Sequence, residues 1–311
     1  MKNSQRPFVK IIKEICSENG VVLESFSYDW IFHLSKNEKT AHIFGYQFGN
    51  NSATSQLICA DKCATSDILL FNGVPAVKHD FFMSPTNINY VGVSGNWERI
   101  LKLFQTFGKV VCKANEGSGG GSVYLVSTQF ELERAAHKIF SHSRTMAVSP
   151  FYEIEKEFRA VVLDNKVMLI YSKNIPFVEG DGTSTLRDLL ISYAQTHTDF
   201  SLNFEESDND LDVLELGKKY YLNWKHNLGQ GAYPDIIQDE SLIAELSDFA
   251  LKAAKAVGIK FASVDIIKVK GNFMVLEINS GVMMDYFSQI SGSNYQTAKN
   301  IYREAIEKML F

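Results

Sequence analysis

The run Ser263-Val-Asp265-Ile-Ile-Lys-Val-Lys-Gly271-Asn-Phe-Met-Val-Leu-Glu277-Ile-Asn279 constrains this chain more than any other stretch. Two β-rich runs flank Lys270-Gly271-Asn272, which is a hairpin pattern. With the turn centred on Gly271, Asp265 falls directly opposite Glu277, and opposed residues on one face hold their Cβ atoms about 4.5–5.5 Å apart. Asn279 lies two residues on and therefore on the same face. Carboxylates this close repel unless a cation sits between them. A donor set made only of oxygen suits magnesium, which keeps its remaining positions for water and phosphate. Apolar neighbours on both sides of each acid argue for burial. The blander reading is a surface hairpin with incidental acids.

A second run, Lys109-Val-Val-Cys-Lys113-Ala-Asn-Glu-Gly117-Ser118-Gly119-Gly120-Gly121-Ser122, points to phosphate. A buried strand delivers Lys113 to the mouth of a loop whose glycines let backbone N–H groups converge on anionic oxygens. No Gly-Lys-Ser/Thr follows, and the loop leads to a strand rather than a helix, so it is neither a Walker A loop nor a dinucleotide fingerprint. A flexible hairpin turn is the alternative.

Around these runs the chain reads as mixed α and β. A helix is expected from Pro7 to Asn19, ended by Gly20, then a hairpin from Trp30 to Phe48 turning near Asn37. One helix is expected from Asn51-Ser52 to about Phe71. Residues 109–148 read as a small α/β lobe suited to a lid. After Pro150 come strands at Phe158–Leu163 and Val167–Tyr171, joined by a turn at Asp164-Asn-Lys. Ser184 is the expected cap of a helix opening at Thr185. Residues 199–212 are rich in acids and read as a solvated loop. A helix from Ser241 to Val257 closes at Gly258, and a last helix runs from about Asn294 to Leu310.

The chain has 311 residues, enough for one multi-lobed enzyme or two domains. A net charge of −5 leaves no basic field for nucleic acid. No signal-peptide core and no run of about 18 apolar residues is present, so neither export nor a membrane span is expected. Cys16, Cys59, Cys63 and Cys112 form no CxxC or zinc spacing and are expected to be reduced thiols in a cytoplasmic protein.

Taken in order, these parts resemble the ATP-grasp superfamily from about residue 52 to the end. Asp61-Lys62, Thr65, Leu69-Leu70 and Gly73-Val-Pro75 resemble the family's approach to the nucleotide lobe, where the lysine reaches ATP phosphate. Lys113 and Gly117, Ser118, Gly119, Gly120 and Gly121 resemble its second lysine and phosphate loop. Glu157-Phe158-Arg159 resembles its Glu-Phe-Arg strand, where the glutamate holds the ribose. Asp265, Glu277 and Asn279 resemble its magnesium triad. Pro176 to Leu190 resembles a stretch of cyanophycin synthetase and fused glutathione synthetases, and Asn227-Leu-Gly-Gln-Gly231-Ala their Asn-Leu-x-x-Gly-Gly region, also similar to ribosomal-protein glutamate ligases. Two departures stand out. Ser149-Pro150-Phe151-Tyr152 occupies the place of a hinge glutamate near adenine, leaving the Phe151 and Tyr152 backbone as the adenine candidates. Ser280-Gly281-Val-Met-Met-Asp285 replaces the usual small-residue and proline turn.

The resemblance implies an α+β ATP-grasp fold, two lobes gripping ATP, with a short N-terminal α/β region. The expected division is residues 1–60, a nucleotide lobe 61–150 containing the lid, and a metal-bearing lobe 151–311. It implies ATP and magnesium, with two ions bridged by Glu277, and a ligase that activates an amino-acid or peptide carboxylate as an acyl phosphate and joins it to an amine. Lys62, Lys113 and Lys225 would stabilise the moving phosphoryl and Asn227 would face it. His226 either takes the amine proton or is structural. Half of the family's usual N-terminal domain is missing and could come from a second copy in a homodimer. An ATP-grasp kinase and a non-catalytic nucleotide-binding regulator stay open as alternatives.

Overall fold

The computed structural model describes residues 5–90, 97–117, 122–196, 211–222, 224, 226 and 228–311. The chain divides into two compact units, one made of Met1–Ile170 with Ile237–Phe311 and the other of Tyr171–Ile236.

The first unit opens with α1 (Pro7–Glu18), whose Phe8, Ile11, Ile12 and Ile15 recur at helical spacing and are all buried. A meander follows: β1 (Val22–Phe26), β2 (Ile31–Lys36), β3 (Lys39–Phe44) and β4 (Gln47–Phe48), paired in that order. β1 extends the expected hairpin by a strand. Asn37 and Glu38 both take positive φ between β2 and β3, the backbone of a tight primed turn.

The single helix expected over 51–71 is two, α2 (Ala53–Ala60) and α3 (Lys62–Phe71). Asp61 breaks it. Its backbone is extended, and its carboxylate accepts from the Ala64 amide at 2.7 Å, which caps α3. The same residue bridges to Glu116, so the break ties the start of α3 to the base of the glycine loop.

A four-stranded sheet follows in the order β5-β8-β6-β7, from β5 (Asp80–Met83), β6 (Val110–Ala114), β7 (Val123–Val126) and β8 (Thr145–Pro150). With α4 (Trp97–Phe107) and α5 (Gln129–Phe140) it closes around Phe82, Ile100, Val110, Val126, Leu132 and Met146. Thr128 and Glu131 form a reciprocal capping box at the start of α5.

The second sheet of this unit carries β9 (Lys156–Leu163), β10 (Lys166–Asn174), β14 (Phe261–Val269) and β15 (Asn272–Asn279), in the order β10-β9-β14-β15. One face buries Phe158, Ala160, Val162, Val264, Ile266, Val275 and Ile278 with Leu246, Ala250 and Ala254 of α7 (Glu240–Val257). Gly258 ends α7 in the left-handed region, as glycine permits. The chain closes with α8 (Asp285–Gln289) and α9 (Gly292–Leu310).

The second unit holds the end of β10 paired with β13 (Tyr233–Ile236), the two-stranded pair β11 (Phe177–Glu179) and β12 (Lys219–Tyr221), and α6 (Leu186–Thr196). Its buried cluster is Val178, Leu186 and Leu190. The cap of α6 is Thr185 rather than the expected Ser184. The Thr185 hydroxyl accepts from the Asp188 amide while the Asp188 carboxylate accepts from the Thr185 amide. Ser184 instead donates its amide and hydroxyl to Asp181. The acids expected at 199–210 lie outside the described residues.

Candidate active site

The face of the second sheet turned away from α7 carries the candidate chemistry, by alternation with the core residues that is regular on β9 and β14 and interrupted once on β15. β9 contributes Glu157 and Arg159, β14 contributes Ser263 and Asp265, and β15 contributes Glu277 and Asn279. Asp265 pairs with Arg159 on one side and with Glu277 on the other, and Ser263 pairs with Asn279. The expected opposition of Asp265 and Glu277 is present, by a different route. The turn is a two-residue one, Lys270-Gly271 with φ of +48° and +79°, which pairs Val269 with Asn272 and Ile266 with Val275. A β-bulge then absorbs Leu276, and the ladder resumes at Asp265 and Glu277. Phe273 and Val275 thereby join Ile278 on the core side while Glu277 and Asn279 stay on the other.

Asp265 is buried, and Arg159 grips it with two hydrogen bonds of 2.7 Å, Nε to Oδ1 and Nη2 to Oδ2. A planar guanidinium matches a carboxylate in this bidentate way. Asn279 donates its amide to Glu277 Oε1 at 3.1 Å. Among the described residues no group of three or more histidine, cysteine, aspartate or glutamate side chains forms a metal cluster. The set of two carboxylates and an amide fits magnesium nonetheless, because every donor is a hard oxygen. Each carboxylate oxygen has two lone pairs, so Asp265 can hold Arg159 and a cation together.

Lys113, at the end of β6, is half-buried. Burial holds its pKa below the usual lysine value, against the opposing pull of Glu277 and Glu157. Those carboxylates connect the lysine electrostatically to the metal-candidate face. Its Nζ stands 3.4 Å from His79 Nε2. Lys62 opens α3 and donates to the carbonyls of Gly117 at 3.0 Å and Asn115 at 3.4 Å. Asn115 is fully buried, donating to Asp61 at 2.7 Å and accepting from the Cys63 amide at 3.2 Å. Both lysines therefore stand at the root of the glycine loop, on a base fixed by Asp61 and Asn115. Ser118, Gly119, Gly120 and Gly121 lie outside the described residues.

Glu157 is buried on β9. The Phe151 amide donates to the Lys109 carbonyl at 3.0 Å and its ring lies 4.3 Å under the Lys109 ammonium. That amide is committed, which leaves the Phe151 carbonyl and the Tyr152 backbone as the adenine candidates of this stretch. In the second unit, His226 is half-buried, and burial with help from the Lys173 charge pushes its pKa down to about 4. It is neutral at pH 7 and a weak proton acceptor. Lys225 and Asn227 lie outside the described residues. The thiols of Cys16, Cys59 and Cys112 are pushed by burial up to about 11, 12 and 12, and all four cysteines are free.

Sequence reasoning passed over His79, Asn115, the buried Lys173 and the ionic role of Arg159. His79 had a signal, a histidine at the centre of the titratable triplet Lys78-His79-Asp80 between apolar Val77 and Phe81-Phe82. Arg159 had one too, since the alternation that puts Asp265 on a face puts Arg159 on that face of the next strand.

The chain superposes on a synthetase and a ligase of known structure over 97% and 83% of its length. The bifunctional glutathione synthetase from Pasteurella multocida matches with a TM-score of 0.59 at 16% identity, over 97% of this chain and 44% of that one. A D-alanine–D-alanine ligase from Bacillus anthracis matches with a TM-score of 0.53 at 16% identity, over 83% and 68% of the two chains. Residues 221–303 match the RimK-like ATP-grasp domain. The fold is ATP-grasp. Within it, the tetrahydromethanopterin:alpha-L-glutamate ligase of Methanocaldococcus jannaschii is 35% identical over 72 residues, 23% of this chain and 24% of that protein. This ATP-grasp chain thus spans about a quarter of the curated relative's length and under half of the bifunctional enzyme's.

Proposed function

We propose that this ATP-grasp chain is an ATP- and magnesium-dependent ligase that joins an amino-acid or peptide carboxylate to an amine. The observation that carries the reading is the row Arg159, Asp265, Glu277 across three adjacent strands, with Lys113 coupled electrostatically to Glu277, on a fold shared with carboxylate–amine ligases. A carboxylate resists amines because its oxygen leaves badly. Transfer of the γ-phosphoryl from ATP breaks the bond to the bridging oxygen, forms one to a carboxylate oxygen, and releases ADP. The amine nitrogen then attacks the acyl carbon, and the carbon–oxygen bond breaks with phosphate as the leaving group.

In this scheme Lys62 and Lys113 hold the equatorial phosphoryl oxygens as charge redistributes. Asp265, Glu277 and Asn279 are the residues that would hold magnesium. Bound magnesium supplies charge neutralisation across the β- and γ-phosphates. Arg159 keeps the Asp265 carboxylate oriented. The Phe151 carbonyl, the Tyr152 backbone and Glu157 serve the nucleoside. By the family resemblance, Lys225 and Asn227 would act on the reacting group, and the chain would work as a homodimer.

The test is product analysis: a panel of amino acids and short peptides, each with mixed amines, is screened for ATP turnover. ADP and phosphate should appear in step with amide. AMP and pyrophosphate during amide formation would overturn the acyl-phosphate route, and a phosphorylated product that never meets an amine would make the chain a kinase.

A further inference from the structure

We infer that His79 is the positioning residue for Lys113: its unprotonated Nε2 accepts the lysine's hydrogen bond and holds the ammonium toward the side where Glu157 and Glu277 lie. The inference rests on the reading of Lys113 as a phosphate ligand and adds the group that aims it.

His79 is buried, immediately before β5. Its own amide donates to Ser66 Oγ at 3.2 Å, and that hydroxyl donates to the Cys63 carbonyl at 3.0 Å, so the histidine backbone is fastened to α3. Lys113 arrives from β6. β5 and β6 flank β8 from opposite sides, which brings the two side chains together at 3.4 Å. An ammonium only donates, so Nε2 must be the nitrogen without a proton. The proton then resides on Nδ1, a buried nitrogen with no hydrogen-bond partner among the described residues. A second proton on the ring is opposed by burial first, then by the charges of Lys113 and Lys62, so the imidazole pKa lies well below its usual value. Between the two groups the proton belongs to the lysine, because Glu277 and Glu157 favour its charge. One of the three ammonium protons is thus spent on His79 and two remain for phosphate oxygens. Swinging the lysine away would leave a desolvated ring nitrogen without its donor, which is costly in a buried place.

Two measurements on the full chain test this. Nitrogen-15 NMR of the histidine rings should show His79 as the neutral Nδ1–H tautomer from about pH 6.5, the ordinary histidine pKa, to about pH 9. An Nε2–H tautomer, or a protonated ring within that window, overturns the inference. Affinity for MgATP is then compared for His79→Leu and His79→Gln, both checked for unchanged circular dichroism and melting temperature. Leucine removes the acceptor and should weaken binding by about tenfold or more, while glutamine restores an acceptor oxygen and should stay within about threefold of wild type. Equal losses in two folded variants overturn the inference, because a space-filling role needs no acceptor. If neither variant folds, the NMR measurement on the wild-type chain decides. Failure of the wild-type chain to bind MgATP would sink the ligase reading and leave the tautomer result standing as its own answer.

Discussion

Arg159 changes what substitutions at the metal-candidate face can report. Its guanidinium is largely buried and spends two hydrogen bonds on Asp265. Asp265→Asn leaves that cation without its bidentate carboxylate, and breaking a buried pair from one side costs about 3 kcal/mol or more. Urea unfolding of this variant should show such a loss, so its inactivity would not separate metal binding from folding. Glu277→Gln is the cleaner probe. It keeps the Oε1 that accepts from Asn279, removes one anionic ligand, and leaves the Arg159–Asp265 pair intact. Turnover should fall by about two to four decades, the loss expected for one preorganised electrostatic group worth about 3–5 kcal/mol. The magnesium-free chain should lose about 1 kcal/mol or less, since only the charge attraction to Lys113 goes. Exposed Glu245→Gln is the control. Near-wild-type turnover of Glu277→Gln at low magnesium would show that this face is not the metal site. The residues on the face were legible because period two fixes sides without coordinates. Their partners were not: which side chain fills the space beside Asp265 depends on a strand more than a hundred positions away in sequence.

The hairpin shows how an element can satisfy a residue-level expectation by other means. A turn centred on Gly271 sets Asp265 opposite Glu277, but it also turns Phe273 and Val275 toward the site. Positive φ at Lys270 and Gly271 favours the two-residue turn, and burial of Phe273 and Val275 favours its register. The surplus residue, Leu276, is expelled as the bulge. Deleting Leu276 should therefore be tolerated: a regular ladder through Val275 and Glu277 already gives the observed pairs on both sides of the gap. The expected result is a soluble variant with a modest loss of melting temperature and MgATP affinity near wild type. A chain that no longer folds would mean that the bend at the bulge is itself required. The break at Asp61 was illegible for a related reason. Residues 53–71 contain no glycine or proline to mark an end, and Glu116 and Asn115, distant in sequence, hold Asp61 extended where one long helix was expected.

Across the whole molecule, cohesion is unequal. The N-terminal region is built into the first unit by an aromatic seam: Phe48 meets Phe8, Phe261 and Tyr302 at 6.1, 5.0 and 5.7 Å. Lys299 of α9 adds ion pairs of 2.8 and 2.6 Å to Glu14 and Glu18. The hydrogen bonds that Lys299 donates hold both carboxylates below their usual 4.5, and the same bonds raise the lysine above its usual 10.5. Depressed acids stabilise the fold above their unfolded value and lose that contribution as pH falls; a raised lysine contributes below 10.5 and loses it as pH rises. Lys299→Met should therefore lower the denaturation midpoint at pH 7, with the gap to wild type closing as pH drops below 4.5. The second unit has far less to hold it. Its buried cluster among the described residues is Val178, Leu186 and Leu190, with Leu189, Tyr193 and Leu222 packed against it. Fully burying a large apolar side chain is worth about 1.5–3 kcal/mol, whereas ordering each backbone residue costs about 1–2 kcal/mol. Among the described residues these side chains offset only part of that cost, so the second unit should open as a subglobal step while the first stays folded. Native-state hydrogen exchange should give the α6 amides an opening free energy several kcal/mol below that of the α7 amides. Limited proteolysis should cut first within 171–236, leaving α7 and the β9-β14-β15 sheet protected. Equal opening free energies in α6 and α7, with the denaturant dependence of global unfolding in both, would show that the chain folds as one cooperative body and that the small cluster is not its weak point.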